Sequence, residues 1–337
     1  MTSESESWPY GIGTTGSSDG PGPEDLRAQL DSLTTEAFRS ELAEIDQLPT
    51  VEIARLMNAE DASVPGAVAA QLPTIAAAIE DIAERMARGG RLIYAGAGTA
   101  GRMGVLDASE CPPTFNTAPG QVRGLIAGGA SALVTSSEGA EDSPELAAED
   151  LDALGVCERD TVVGISASGR TPYAVGAVEH AGRRGALTVG LSCNEGSPLA
   201  ARARHGIEVV VGPELLTGST RLKSGTAQKL VLNMLSTITM IRLGKTYGNL
   251  MVDVRASNDK LRARSRRIVA LATGAGEEEI ERALGETRGE VKNAILCVLA
   301  GVDGDTSEQL LRDADGHLRV ALRQAANQPS NGAARRG

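Results

Sequence analysis

The chain has 337 residues, 41 % of them apolar but only 2 % aromatic, and a formal net charge of −11. That length holds one large domain, or a domain with a small appendage, and the core must be built from Ala, Val, Leu and Ile. The acidic balance, with no Lys/Arg run of the kind that tracks a phosphodiester backbone, argues against nucleic acid and anionic membrane as main partners.

Residues 1–22 are rich in Ser, Gly and Pro and hold no apolar segment, so they are expected to be disordered and are no signal peptide. Residues 66–88 carry apolar positions at helical spacing, and Gly89-Gly90 ends that helix. Short β-branched runs then alternate with helical stretches, at 91–95, 124–127, 161–166, 187–192 and 207–211. These runs are apolar on both faces, as strands of a covered parallel sheet are. Their spacing suits crossover helices, so the predicted fold is α/β, an αβα sandwich on a parallel five-stranded sheet.

The longest apolar run, 227–243, is interrupted by Gln228, Lys229, Asn233 and Arg242, which predicts a buried helix rather than a membrane span. A basic helix is expected at 257–271, and three or four short helices at 276–323. The predicted organisation is a sandwich domain at 23–273, a small helical subdomain at 274–325 and a disordered tail at 326–337. Cys111, Cys157, Cys193 and Cys297 are far apart, which suggests a reducing cytoplasm and neither disulfides nor a zinc site. His180, His205 and His317 are isolated and are read as surface or packed residues.

Two strand–loop–helix units echo each other. The first loop is Gly96-Ala97-Gly98-Thr99-Ala100-Gly101-Arg102, and the second is Ser166-Ala167-Ser168-Gly169-Arg170-Thr171-Pro172. The first fits a dinucleotide fingerprint by letter, but the next strand ends in Ala127-Gly128-Gly129 with no carboxylate for a ribose. A phosphate under a helix N-terminus is the better reading, and a bare tight turn is the alternative. In the second loop, Thr171 is a candidate N-cap with Pro172 at the first helical position. One hydroxyl suffices for a cap and three are present, which favours phosphate binding over an over-decorated cap. A third polar stretch, 217–226, clusters Ser219 and Thr220 with Arg221 and Lys223; it suits contact with a sugar or acid group and equally a structural loop.

Two carboxylate groups follow the first loop. Glu110 lies among Ala108, Cys111, Pro112 and Pro113, an apolar setting expected to bury it and raise its pKa toward the range of a general acid or base. Glu138 and Glu141 flank Gly139. If 130–138 is a helix, Gly139 is its stop and Glu138 lies at the unfavourable end of its dipole, a hint of function against the ordinary reading of a solvated glutamate. Asp142 and Ser143, before Pro144, read as caps of the next helix.

The motifs at 96–104, 106–115, 138–143, 168–173, 218–229 and 247–254 together resemble the N-acetylmuramic acid 6-phosphate etherase family over roughly residues 45–325. The resemblance implies a sugar isomerase (SIS) domain, and a relative in the glucokinase regulatory protein, which binds phosphosugars without catalysis. It implies conversion of N-acetylmuramic acid 6-phosphate and water to N-acetylglucosamine 6-phosphate and D-lactate, with no cofactor and no metal, in a cytoplasmic homodimer with its site near the interface. Glu110 then matches the family's catalytic acid/base and Glu141 its second glutamate. Gly98, Thr99, Glu138, Ser166, Ser168, Gly169, Thr171, Ser219, Thr220 and Lys223 are the candidate substrate-binding residues. The sequence departs from the SIS pattern at Ala100, where a hydroxyl is usual, and Ser166 is the candidate compensating donor. A non-catalytic phosphosugar sensor and a phosphosugar isomerase are the competing readings; a sensor needs no proton donor at Glu110, and an isomerase releases no lactate.

Overall fold

The structure, a computed structural model, describes residues 33–135, 137–254 and 259–327. The segment expected to be disordered at 1–22 lies outside them, as does the tail beyond 327.

Three short helical turns lead into helices α1 (Thr50–Asp61), α2 (Val64–Ala69) and α3 (Leu72–Ala87). The single helix predicted over 66–88 is thus two, because Pro73 has no N–H to bond the carbonyl of Ala69 and instead occupies the first turn of α3. The helix stop is as read, with Gly89 at φ +83°.

The sandwich follows: β1 (Leu92–Gly96), α4 (Gly98–Phe115), β2 (Val122–Ile126), α5 (Pro144–Ala153), β3 (Thr161–Ile165), α6 (Pro172–Arg183), β4 (Leu187–Ser192), α7 (Pro198–Arg202), β5 (His205–Glu208) and α8 (Lys223–Arg242). The five strands are parallel in the order β2-β1-β3-β4-β5, with Leu92 level with both Val122 and Thr161. Alternate residues of one strand serve opposite faces. Leu92 and Tyr94 join the cluster of Ile79, Ile82, Leu232 and Leu235 from α3 and α8, while Ile93 and Ala95 join that of Leu151, Tyr173 and Ala177 from α5 and α6. Burial on both faces explains the unbroken apolar runs of β1, β3 and β4. The edge strands depart from that expectation, since β2 exposes Arg123 and β5 begins earlier, at His205.

No helix spans 130–138. The segment makes one short turn over Ala130–Leu133 in which only Ala132 is buried, so it has no apolar face to hold a longer helix. Glu138 therefore lies at no helix C-terminus, and the dipole reading of that residue falls.

Beyond α8 comes a hairpin the sequence reading did not anticipate, β6 (Thr246–Tyr247) and β7 (Leu250–Met251). Then come α9 (Asp259–Thr273), α10 (Glu277–Glu286), α11 (Val291–Ala300), α12 (Gly304–Asp313) and α13 (Leu318–Asn327). Val252, Val254, Ile268 and Val269 share one hydrophobic cluster with Ile280, Ile295 and Leu310. The hairpin and α9 therefore pack with the four short helices, and the expected division at 273/274 cuts through that cluster. Among the described residues no single helix is long and apolar enough to cross a membrane.

Candidate functional site

In an open parallel sheet, ligands bind beyond the carboxyl ends of the strands where the strand order reverses. Here the reversal lies between β1 and β3, and the loops leaving those strands are the two that echo each other in the sequence. A cavity of about 880 Å³ opens between them. It is lined by Gly98, Thr99 and Ala100 of the first loop and by Ser166, Ser168, Arg170 and Thr171 of the second. Thr220, Glu141, Asp142, Glu36, Leu33 and Gln228 complete most of the wall.

The cavity faces two helix N-termini that no side chain caps. Ala97 is the N-cap of α4 and has no hydroxyl or carboxylate to offer the first-turn amides. Thr171 is the N-cap of α6 with Pro172 behind it, as predicted, yet its hydroxyl makes no cap bond. It lies 2.8 Å from the Ser166 hydroxyl, which in turn lies 3.2 Å from that of Ser168 and accepts the Gly169 N–H at 3.0 Å. The three hydroxyls form one cluster beside the helix end. Free first-turn amides and the positive dipole end make each N-terminus a seat for an anion.

Glycine is required at two points of these loops. A Cβ at Gly101 would sit 2.6 Å from the Gly96 carbonyl, and one at Gly169, held at φ +67°, would sit 2.3 Å from the Ser197 Cβ. Gly101 thus lets α4 approach the sheet, and Gly169 is a turn residue rather than a lining one.

A third helix N-terminus nearby is already filled. The Glu214 carboxylate, fully buried, accepts the N–H groups of Lys223 and Ser224 at 2.9 and 3.0 Å and the Ser224 hydroxyl at 2.8 Å. Lys223 is buried and its Nζ donates to Glu60 at 2.6 Å. Burial pushes the Glu60 carboxyl up, but hydrogen bonds and charge from Lys223 and Arg39 outweigh it and hold it below its ordinary value. Lys223 therefore points away from the cavity into an internal ion pair. Ser219 and Glu138 also lie off the lining, while Ser219 accepts the Leu222 N–H through its backbone carbonyl at 3.1 Å.

Glu110 requires a correction. It is exposed, not buried among apolar neighbours. The first loop is itself the start of α4, and Glu110 stands twelve residues along that helix from Gly98, roughly 18 Å at the helical rise. It does not line the cavity of its own chain. Three residues earlier, Asp107 accepts hydrogen bonds from the Tyr94 hydroxyl at 2.7 Å and the Ser236 hydroxyl at 3.0 Å, which locks α4 to β1 and α8. Burial raises the Asp107 carboxyl above its ordinary value against those two bonds.

The second acidic cluster behaves differently. Gly139, at φ +79°, opens a short turn over Ala140–Asp142 that brings Glu141 and Asp142 to the cavity rim. Ser143 caps α5, accepting the Leu146 N–H at 3.1 Å, as read from the sequence. Asp142 does not share that duty; it lines the cavity. Among the described residues neither the Glu141 nor the Asp142 carboxylate has a side-chain partner. No three His, Cys, Asp or Glu residues among the described ones gather as metal ligands. A second cavity, about 720 Å³ between Asn116 and the C-terminal helices, brings together none of the predicted site residues.

Comparison with known proteins agrees with this fold. Residues 74–182 match the glucokinase regulatory protein N-terminal SIS domain, and residues 142–238 match the SIS domain. The N-acetylmuramic acid 6-phosphate etherases of Streptomyces avermitilis and Streptomyces coelicolor are both 78 % identical to this chain over 300 and 301 residues, which is 89 % of the chain and 96 % and 97 % of those proteins. That of Mycolicibacterium smegmatis is 54 % identical over 87 % of the chain and 98 % of its own length. Identity of that depth, carried across nearly the whole of each relative, means that the chain belongs to the N-acetylmuramic acid 6-phosphate etherase family.

Proposed function

We propose that the protein cleaves the lactyl ether of N-acetylmuramic acid 6-phosphate, releasing D-lactate and N-acetylglucosamine 6-phosphate in the recycling of cell-wall amino sugars. The observation that carries this reading is a single cavity holding two uncapped helix N-termini and an unpartnered carboxylate, Glu141. A dianionic phosphate seats against the amides of α4 and α6 and the hydroxyls of Thr99, Ser168 and Thr171. Ser166 supplies a hydroxyl where the first loop has Ala100.

The chemistry needs proton transfer and little else from the protein. The ether at C3 is unactivated until the sugar ring opens and the C1 aldehyde acidifies the C2 proton. A carboxylate removes that proton, the C3–O bond breaks, and the lactate oxygen takes a proton from an acid. Water then adds to the unsaturated aldehyde at C3. Glu141, at the rim of the phosphate cavity, handles the C2 proton, and Glu110 protonates the leaving oxygen.

Glu110 lies outside the cavity of its own chain, beside exposed Leu106 one turn earlier. A homodimer that covers this face delivers the Glu110 of one copy to the cavity of the other. The protein works in the cytoplasm, where its phosphorylated substrate is retained.

The test is D-lactate release from N-acetylmuramic acid 6-phosphate. Wild type releases lactate, and Glu110→Gln and Glu141→Gln each lose ~10²–10⁴-fold. Folded wild-type protein that binds the phosphosugar and releases nothing would refute the etherase reading in favour of a sensor. Mixing the two Gln variants restores activity if the site spans two copies, and leaves it absent if each chain works alone.

A further inference from the structure

Gln228 is buried in the second turn of α8, 1 % exposed, and lines the cavity. Its side-chain Nε2 has no hydrogen-bond partner among the described residues. A buried amide donor left unpaired destabilises a fold, so a position that keeps one calls for an acceptor supplied from elsewhere. The first turn of α8 rests against the first loop, since a Cβ at Gly225 would meet the Thr99 methyl at 3.5 Å. Gln228, one turn further, lines the cavity together with Gly98, Thr99 and Ala100 of that loop.

A further part of the wall is a short strap, residues 33–36. Thr35 is fully buried and tied at both ends of its peptide unit. Asn194 accepts its N–H through Oδ1 at 3.4 Å and donates to its hydroxyl at 3.1 Å, while Gly218 donates to its carbonyl at 3.3 Å. Asn194 also donates to the Ala167 carbonyl at 2.9 Å, which fastens the strap to the second loop. The strap presents Leu33 and Glu36 to the cavity. Gly218, at φ +73°, makes room for Glu36, because a Cβ there would lie 2.6 Å from its Oε2. The Glu36 carboxylate has no ion-pair or hydrogen-bond partner among the described residues.

We infer that Gln228 and Glu36 form a donor–acceptor clamp on the sugar, the amide donating to a substrate oxygen and the carboxylate accepting from a sugar hydroxyl or the acetamido N–H. Each half fits its place. The amide lies beside the phosphate seat, where acceptors are dense. The carboxylate lines the same cavity, and its negative charge turns the phosphate and the lactyl carboxylate away and favours donors. The clamp selects an amino sugar or polyol of one orientation and makes Gln228 and Glu36 residues of specificity rather than of proton transfer. The inference rests on the phosphosugar reading of the cavity, but not on the lactyl chemistry.

The experiment combines unfolding temperature, N-acetylmuramic acid 6-phosphate kinetics and equilibrium binding of N-acetylglucosamine 6-phosphate in Gln228→Leu, Gln228→Met and Glu36→Gln. Removing a buried unpaired donor leaves the free protein as stable as wild type or more so, while binding weakens about tenfold to a hundredfold, from a donor's worth of roughly 1.4–2.8 kcal/mol. Glu36→Gln raises KM about tenfold with kcat near wild type, the signature of binding common to ground and transition states. If the Gln228 variants bind within twofold of wild type, or if both lose stability in step with binding, the clamp is refuted. Binding by wild type without lactate release would remove the etherase reading and leave the clamp testable by the binding arm alone.

Discussion

The N-termini of α4 and α6 and that of α8 lie around one cavity and are built to opposite ends. Glu214 fills the end of α8 with three hydrogen bonds and full burial, so that helix has no use for an external anion. The other two present free amides, the α6 hydroxyls bond one another instead of the helix, and α4 has only Ala97 at its cap. The same dipole and the same orphan amides thus serve stability in one helix and are left open to an external anion in the others. What decides is whether the chain supplies its own carboxylate.

The sharpest way to break the contrast is to supply one. Ser168→Asp places a carboxylate at the open end of α6, and phosphosugar binding measured by calorimetry should fall at least ~10³-fold, since like charge and a filled seat both oppose the phosphate. Thermal stability of the same variant should hold or rise, because an acid at a helix N-terminus is favourable.

Next in size is the reverse change. Glu214→Ala strips α8 of its buried acceptor and strands two amides, at a cost of about 3 kcal/mol by urea unfolding. Phosphosugar affinity should suffer only through the fraction of protein left unfolded.

Away from the cavity, Asp160 offers a control for a carboxylate spent wholly on the fold. It is buried and accepts from the Arg91 guanidinium at 2.6 and 3.0 Å and from the N–H groups of Arg91 and Cys157. Burial pushes its carboxyl up, but those bonds outweigh burial and hold it below the usual carboxylate value. The sign follows: its stabilisation is complete above about pH 4 and is lost as pH falls through its lower folded value. Asp160→Asn should cost about 2 kcal/mol at neutral pH and flatten the acid limb of stability against pH, while leaving KM unchanged.

The smallest effect belongs to Thr171→Val. It removes one of three clustered hydroxyls and no cap bond, so affinity should drop about tenfold with unfolding temperature unmoved. A fall in stability of about 1 kcal/mol would mean that Thr171 caps α6 after all.

The parallel sheet was legible because burial on both faces leaves no charged residue in β1, β3 and β4. The two loops were legible because glycines and hydroxyls punctuate a strand–helix junction in a fixed order. Glu110 was read in the wrong setting: Pro112 and Pro113 suggest a rigid apolar loop, yet they sit in the last turn of α4, whose outer face is open to solvent. Gln228 was invisible for the opposite reason. In the sequence it is a polar break in an apolar helix, and only the packing of α8 against the first loop turns it inward. Glu36 carried no local signal, since its place depends on a buried Thr35–Asn194 pair drawn from distant parts of the chain.

That pair also sets an order of events in biosynthesis. Thr35 and Asn194 are separated by 159 residues, so the strap emerges from the ribosome early and waits roughly 8–32 s for its anchor at ordinary elongation rates. Gly218, its other tether, comes later still. The sheet can assemble strand by strand while the mouth of the cavity stays unfinished. The mouth of the cavity is thus closed only after β4 and β5 have emerged.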